Sequence, residues 1–219
     1  MRSQRSQPAF AMSKRRRTGI IFLCLLAVTL LVRLDRGLHK RDWLPESASE
    51  EQVKSRDLEK YHGKTFAAVN VIDGDTLDVN VPDGQSEYTR IRLLGIDAPE
   101  THSETLGEMY FADRATRSAE QLALEKSVTV YLDKPGPTRG KYGRLLAYVK
   151  LPDGRFLNEV LLSEGFAYAD LRFSHSFYNK YKQLEAAARS RKKGLWEAVR
   201  HEQLPEWLQE RKVKAAQKK

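Results

Sequence analysis

Between residues 62 and 201 the apolar period changes from two to about 3.6 and back again, and that order limits the fold more than any other feature of the chain. Phe66 to Ile72 is an apolar, strand-like run, and Leu77-Asp78-Val79-Asn80-Val81 alternates cleanly. Tyr88 to Leu94 follows, with Ile91 and Leu93 facing one way and Arg92 the other. Asp73-Gly74 and Pro82-Asp83-Gly84 supply the turns between these strands. The spacing then lengthens, because Ala112, Ala115, Ala119 and Leu122 lie on one helical face. A period of two returns at Val128, Val130 and Leu132 and, beyond a Pro135-Gly136-Pro137 loop, at Leu145 to Leu151. Leu157, Val160 and Leu161 mark a short helix ending at Gly165, and Phe173, Phe177, Tyr181, Leu184 and Ala188 mark a longer one before Gly194.

Three strands, a helix, two strands and more helices predict an α+β domain over 62–201: a five-stranded Greek-key barrel of the oligonucleotide-binding (OB) type with three packed helices. With 41% hydrophobic and 31% charged residues the chain is too apolar for a disordered protein and too polar for a polytopic membrane protein. Its single cysteine rules out an internal disulfide and any cysteine-based zinc site, so core packing must hold the domain together. The net charge of +9 belongs to the ends: residues 62–201 carry 20 Lys+Arg against 19 Asp+Glu, whereas 1–61 carry 13 against 7 and 202–219 carry 5 against 3. Binding by the central domain must therefore rest on local placement of charge.

The flanks divide into a basic segment 1–18, a hydrophobic stretch 19–34, a polar tether 35–61 and a charged tail 202–219. The uncharged run Gly19 to Val32 would span about 21 Å as a helix, short of the roughly 30 Å hydrocarbon core, which is the size of a signal segment. No small-residue cleavage site follows it, so it reads as an uncleaved anchor, with a cleaved signal as the other reading. Six Lys/Arg before the run orient the C-terminal domain outside the cytoplasm.

Three segments place charge where strand packing would otherwise be expected. Asp73-Gly74-Asp75-Thr76 is a hairpin turn with two carboxylates, which turn amides alone could account for. Arg92 precedes Gly95-Ile96-Asp97-Ala98-Pro99-Glu100-Thr101, where two carboxylates flank a stiffening proline; a salt bridge and a helix cap would be the plain alternative. Lys141-Tyr142-Gly143-Arg144 puts two cations and an aromatic in a Gly-flanked loop that could equally be a solvated basic turn. In combination they hold what phosphodiester cleavage needs. Asp75 and Asp97 offer hard oxygens to a cation such as Ca²⁺, Arg92 and Arg144 offer positive charge to a phosphoryl transition state, and Glu100 offers a group to orient or deprotonate water.

Val71-Ile72-Asp73-Gly74-Asp75-Thr76, Arg92-Leu93-Leu94-Gly95-Ile96-Asp97-Ala98-Pro99-Glu100-Thr101 and Lys141-Tyr142-Gly143-Arg144-Leu145-Leu146-Ala147-Tyr148 resemble, in order and spacing, the three signature segments of the staphylococcal nuclease (thermonuclease) family. Asn158-Glu159 and Lys193-Gly194-Leu195-Trp196 match further landmarks, so the resemblance covers about residues 62–200. It implies a Ca²⁺ held by Asp75, Asp97 and the main-chain carbonyl of Ala98, with Asp73 reaching it through water. It also implies that Arg92 and Arg144 clamp the scissile phosphate, that Glu100 handles the attacking water, and that Lys141 and Tyr142 bind a neighbouring phosphate. Family members cleave DNA and RNA to leave 3′-phosphate ends. A monomer with a nucleic-acid substrate, a membrane anchor and no protein partner is the expectation.

The chain departs from the family pattern at Gly140, where an acidic residue is common, and at the acidic stretch Thr101 to Glu108, which replaces a lysine-rich loop. Tyr168 and Phe173 are the candidates for an aromatic that stacks on a base, a core role being the alternative for each. Other chemistries lack their motifs: Gly136 to Lys141 is one residue short of a phosphate loop and runs into Tyr142, and the five His form no zinc pattern. A non-catalytic OB-type nucleic-acid-binding module tethered to a membrane is the competing class.

Overall fold

The computed structural model describes residues 49–101, 107 and 109–210. The basic segment 1–18, the anchor expected over 19–34, most of the expected tether and the end of the tail lie outside the described residues. Helix α1 (Glu50–Tyr61) opens the described chain, followed by strands β1 (Lys64–Asp73), β2 (Thr76–Val79), β3 (Thr89–Leu93) and the short β4 (Ile96–Asp97). Helix α2 (Ala112–Ala123), strands β5 (Ser127–Leu132) and β6 (Leu145–Lys150), helix α3 (Leu157–Ser163), the short β7 (Tyr168–Ala169) and helix α4 (Tyr178–Ser190) complete it, with 3₁₀ turns at Gly194–Glu197 and His201–Gln203.

The five longer strands close a barrel in the order β1-β2-β3-β6-β5, as the period-two segments predict. Closure depends on β1, whose first half pairs with β5 and whose second half pairs with β2. Register shifts between Ala68 and Asn70 and between Val71 and Asp73 bend the strand so that it can serve both neighbours. The remaining seam is the parallel pair β3–β6. Leu77, Val79, Ile91, Leu93, Val128, Val130, Leu145, Ala147 and Val149 fill the interior, and α2 covers it with the small side chains Ala115 and Ala119, which bring the helix close. Asn158 is fully buried and ties α3 to the barrel: its Oδ1 accepts from the Val149 amide at 3.0 Å and its Nδ2 donates to the Leu94 carbonyl at 3.0 Å. Gly165 and Gly194 make a contact no side chain would permit, since a Cβ on Gly165 would lie 2.2 Å from the Lys193 oxygen and one on Gly194 would lie 2.4 Å from the Gly165 oxygen.

The described residues hold more helix than the three helices the periodicity predicts, because α1 occupies residues expected to form a tether and residues 206–210, expected in the tail, are helical as well. Helix α1 carries no apolar stripe: Tyr61 and Leu58 pack on the core at its C-terminal end, and polar groups add to its hold. The buried Asp57 accepts from Thr138 Oγ1 at 2.7 Å and from the Arg139 guanidinium at 2.6 and 2.8 Å, while the fully buried Tyr61 shares a 3.1 Å hydrogen bond with Thr89. The start of the expected tail is also built into the domain: Leu204 and Leu208 are buried in a small cluster with Tyr168 and Leu195. The longer helix begins at Tyr178, not at Phe173, which sits in the preceding loop with 63% of its surface exposed.

Candidate active site

The three charged segments converge at one end of the barrel. Asp73 ends β1 and Asp75 precedes β2, so the turn between them delivers both carboxylates to the barrel mouth. Gly74 is required there, because a Cβ would lie 2.7 Å from that of Ala98 and 2.9 Å from that of Ala115. Asp73 closes its own turn by accepting from the Asp75 amide at 2.9 Å, and Asp75 reaches across to accept from the Ala98 amide at 2.6 Å. The hairpin and the Asp97-Ala98-Pro99-Glu100 segment are thereby fastened together.

Arg92 lies between them. One guanidinium nitrogen is 2.7 Å from Asp75 Oδ2 and donates to the Ile96 carbonyl at 2.9 Å, and the other donates to Asp97 Oδ1 at 2.6 Å. Burial pushes the Asp75 carboxyl well above the usual carboxylate range, outweighing Arg92, and moves Asp97 the same way. Burial also opposes the charge on Arg92, but Asp75, Asp97 and Asp73 outweigh it and hold the guanidinium protonated. Two carboxylates thus grip one guanidinium in a desolvated place, and Asp73 adds to the negative field around it. Among the described residues no three His, Cys, Asp or Glu side chains form a metal cage by themselves. The chemistry of the donors nonetheless fits a hard cation, since the buried Asp75 and the half-buried Asp97 offer carboxylate oxygens and Asp73 lies on the same turn as Asp75.

Glu100 follows on the same segment, its main-chain oxygen accepting from the Met109 amide at 3.0 Å. Its carboxyl is raised by partial burial and by Asp73 and Asp97, against the pull of Arg92 and Arg144, so it shares the field of both arginines. Arg144, Lys141 and Tyr142 come from the loop before β6 and, with Arg92, line a cleft of about 630 Å³. Tyr142 is 75% exposed, with Lys141 Nζ 5.4 Å and the Arg144 guanidinium 5.9 Å from its ring centre. Phe173 lines the same cleft, whereas Tyr168 is fully buried; of the two stacking candidates only Phe173 is accessible. The acidic stretch 101–108 lies largely outside the described residues.

Two features of the site escape the sequence reading. Arg139 joins α1 to the cationic loop, since it bonds Asp57, pairs with Asp83 and donates to the Gly143 carbonyl at 3.0 Å. The indole of Trp207 donates to Asp97 Oδ2 at 2.8 Å across 110 positions of sequence. A lone basic residue before Gly140 and a tryptophan in a charged tail carry no periodic or motif signal that would mark either one.

Comparison with known proteins adds independent findings. A family model described as staphylococcal nuclease homologue matches residues 90–198. An uncharacterized protein of Methanocaldococcus jannaschii is 31% identical over 157 residues, covering 63% of this chain and 72% of its own length. A thermonuclease of Staphylococcus hyicus is 28% identical over 184 residues, 84% of this chain and 98% of its own. An uncharacterized endonuclease of Escherichia coli O157:H7 is 31% identical over 153 residues, 67% of this chain and 83% of its own.

Proposed function

The chain belongs to the staphylococcal nuclease family, and from that footing we propose that it is a calcium-dependent nuclease that hydrolyses DNA and RNA to 3′-phosphate ends. The observation that carries this reading is the bridge Asp75–Arg92–Asp97 at the edge of a cleft that Arg144 also lines.

Asp75, Asp97 and the Ala98 carbonyl would hold the Ca²⁺, with Asp73 in reach through water. Bound there, the ion would neutralise the Asp75 and Asp97 carboxylates and polarise a phosphate oxygen. Arg92 and Arg144 approach the scissile phosphate from two sides, and their paired N–H donors match the oxygens on which charge grows. Glu100 orients a water for attack on phosphorus and accepts its proton. The phosphorus–5′-oxygen bond breaks, the 5′-oxygen takes a proton from solvent, and the 3′ side keeps the phosphate. Lys141 and Tyr142 hold an adjoining phosphate, and Phe173 offers a face for a base. The protein works as a monomer, anchored through 19–34 with its nuclease domain outside the cytoplasm; protease added to intact cells should remove that domain and leave the anchor.

The deciding assay incubates the purified full chain with single-stranded DNA and with RNA, with Ca²⁺ or with a chelator. Cleavage to 3′-phosphate products with Ca²⁺ only is the expected result. Tight binding of the polymers with no cleavage would turn the reading into that of a binding module. Replacing Glu100 by Gln or Arg144 by Ala should each lower the rate roughly 10²-fold or more.

A further inference from the structure

We propose that Trp207, from the segment after the family-matching region, is a positioning residue that fixes Asp97 for calcium binding. The inference rests on the reading of Asp97 as a calcium ligand given above.

Trp207 sits between residues 199 and 210, a stretch with its own small core. Leu204 and Leu208 are buried against Leu195 and Tyr168, with Val199 and Trp196 packed around them. Tyr168 belongs to β7, and β7 pairs directly with β4 through Asp97↔Tyr168. The cluster that seats the segment is therefore continuous with the strand that carries Asp97. Residues 206–210 are helical, and the turn brings the Trp207 indole over the carboxylate.

The indole is held on a second side as well. The Arg172 guanidinium lies 4.7 Å from its ring centre, is bonded to Asp170 at 2.8 and 2.9 Å, and comes within 3.6 Å of Asp97 Oδ1. Asp97 is thus fixed at both oxygens, Oδ1 by Arg92 and Oδ2 by Trp207. A carboxylate held at one oxygen alone swings in a broad torsional well. Two donors in fixed directions set its plane and so the directions of its remaining lone pairs. Hydrogen-bonded partners of this kind orient metal-binding carboxylates, and their loss typically lowers affinity 10- to 100-fold. Plain packing would need a flat apolar ring but not its N–H.

The test therefore removes the N–H and keeps the ring. Calcium binding to the full chain is measured by calorimetry for the native protein, Trp207→Phe and Asp97→Asn, beside the calcium concentration that half-activates DNA cleavage. We expect Trp207→Phe to bind calcium about tenfold more weakly, to need about tenfold more of it for cleavage, and to recover cleavage as calcium is raised. Unchanged calcium affinity in Trp207→Phe, with affinity lost in Asp97→Asn, would overturn the inference and leave the proposed function intact. Unchanged affinity in Asp97→Asn would overturn both. A measurement on the native chain guards against misfolding of the variant: the indole N–H resonance of Trp207 should shift when calcium is added, and a resonance that stays in place at saturating calcium refutes the assignment.

Discussion

Arg92 and Arg144 share a proposed task but not a physical situation, and the difference is measurable. Arg92 bridges the buried Asp75 and the half-buried Asp97, its side chain 14% exposed, so replacing it by Ala takes the close cation from Asp75 and leaves Asp97 only the longer 3.6 Å contact to Arg172. Breaking such a buried pair costs about 3 to 5 kcal/mol, and a lowered melting temperature should accompany the loss of cleavage in Arg92→Ala. Arg144 faces the cleft, and Arg144→Ala should lose cleavage while melting as the native protein does; calorimetry beside the nuclease assay separates the two. His175 supplies a prediction of another kind. Its Nδ1 meets the Tyr148 hydroxyl at 3.1 Å, its Nε2 is buried without a partner, and its ring crosses Tyr178 and Tyr181 and nearly touches Gly95. Burial lowers its pKa, against the pull of Asp133 and Asp170. A histidine depressed in the folded state is protonated first in the unfolded one, so its contribution is complete above about pH 6.5 and is lost as pH falls toward the depressed value. Denaturant unfolding from pH 8 to 5 should show that decline, and His175→Gln should flatten it. Legibility at this scale followed chemistry. A charged residue inside a strand announces Arg92, and paired carboxylates around Pro99 announce Asp97 and Glu100. His175 and Trp207 act through contacts made only by folding.

Among the elements, the five barrel strands were legible because each is long enough for alternation to repeat, and α2 because its alanines fall on one face. Strands β4 and β7, at two residues each, have no period to detect, although their pairing ties Asp97 to Tyr168. Helix α1 was hidden for a different reason, since its anchor is a carboxylate–guanidinium network and not an apolar stripe. That network joins the helix to the loop carrying Lys141, Tyr142 and Arg144. Replacing Asp57 by Ala removes the acceptor of Thr138 and part of the support of Arg139, which keeps Asp83 and the Gly143 carbonyl. The expected loss is about 2 kcal/mol of stability, the scale of a hydrogen bond to a charged group. The loop should loosen with it, so the KM for a short oligonucleotide should rise more than kcat falls. Equal KM values for the variant and the native chain would mean that the helix serves stability alone.

For the whole molecule the placement of charge matters more than its sum. A chain at +9 would ordinarily be expected to attract polyanions along its surface, yet residues 62–201 are balanced at 20 against 19 and the excess sits at the two ends. Of the five arginines and lysines lining the cleft, Arg139 is tied to Asp57 and Asp83 and Arg172 to Asp170, so if the cleft alone holds substrate its phosphate contacts reduce to Arg92, Lys141 and Arg144. Each phosphate neutralised on a single strand contributes about −0.7 to the slope of log affinity against log salt, so three contacts give a slope of about −2. Binding of a non-cleavable single-stranded oligonucleotide, measured by anisotropy across a salt series, should return that value. Engagement of the basic ends, which together hold 18 Lys+Arg (13 + 5), would make the slope several times steeper. A shallow slope means that specificity for nucleic acid comes from a few aimed groups around the Arg92 bridge. Affinity for long polymers would then gain little from length, and short single-stranded ends should compete nearly as well as long DNA for the same cleft.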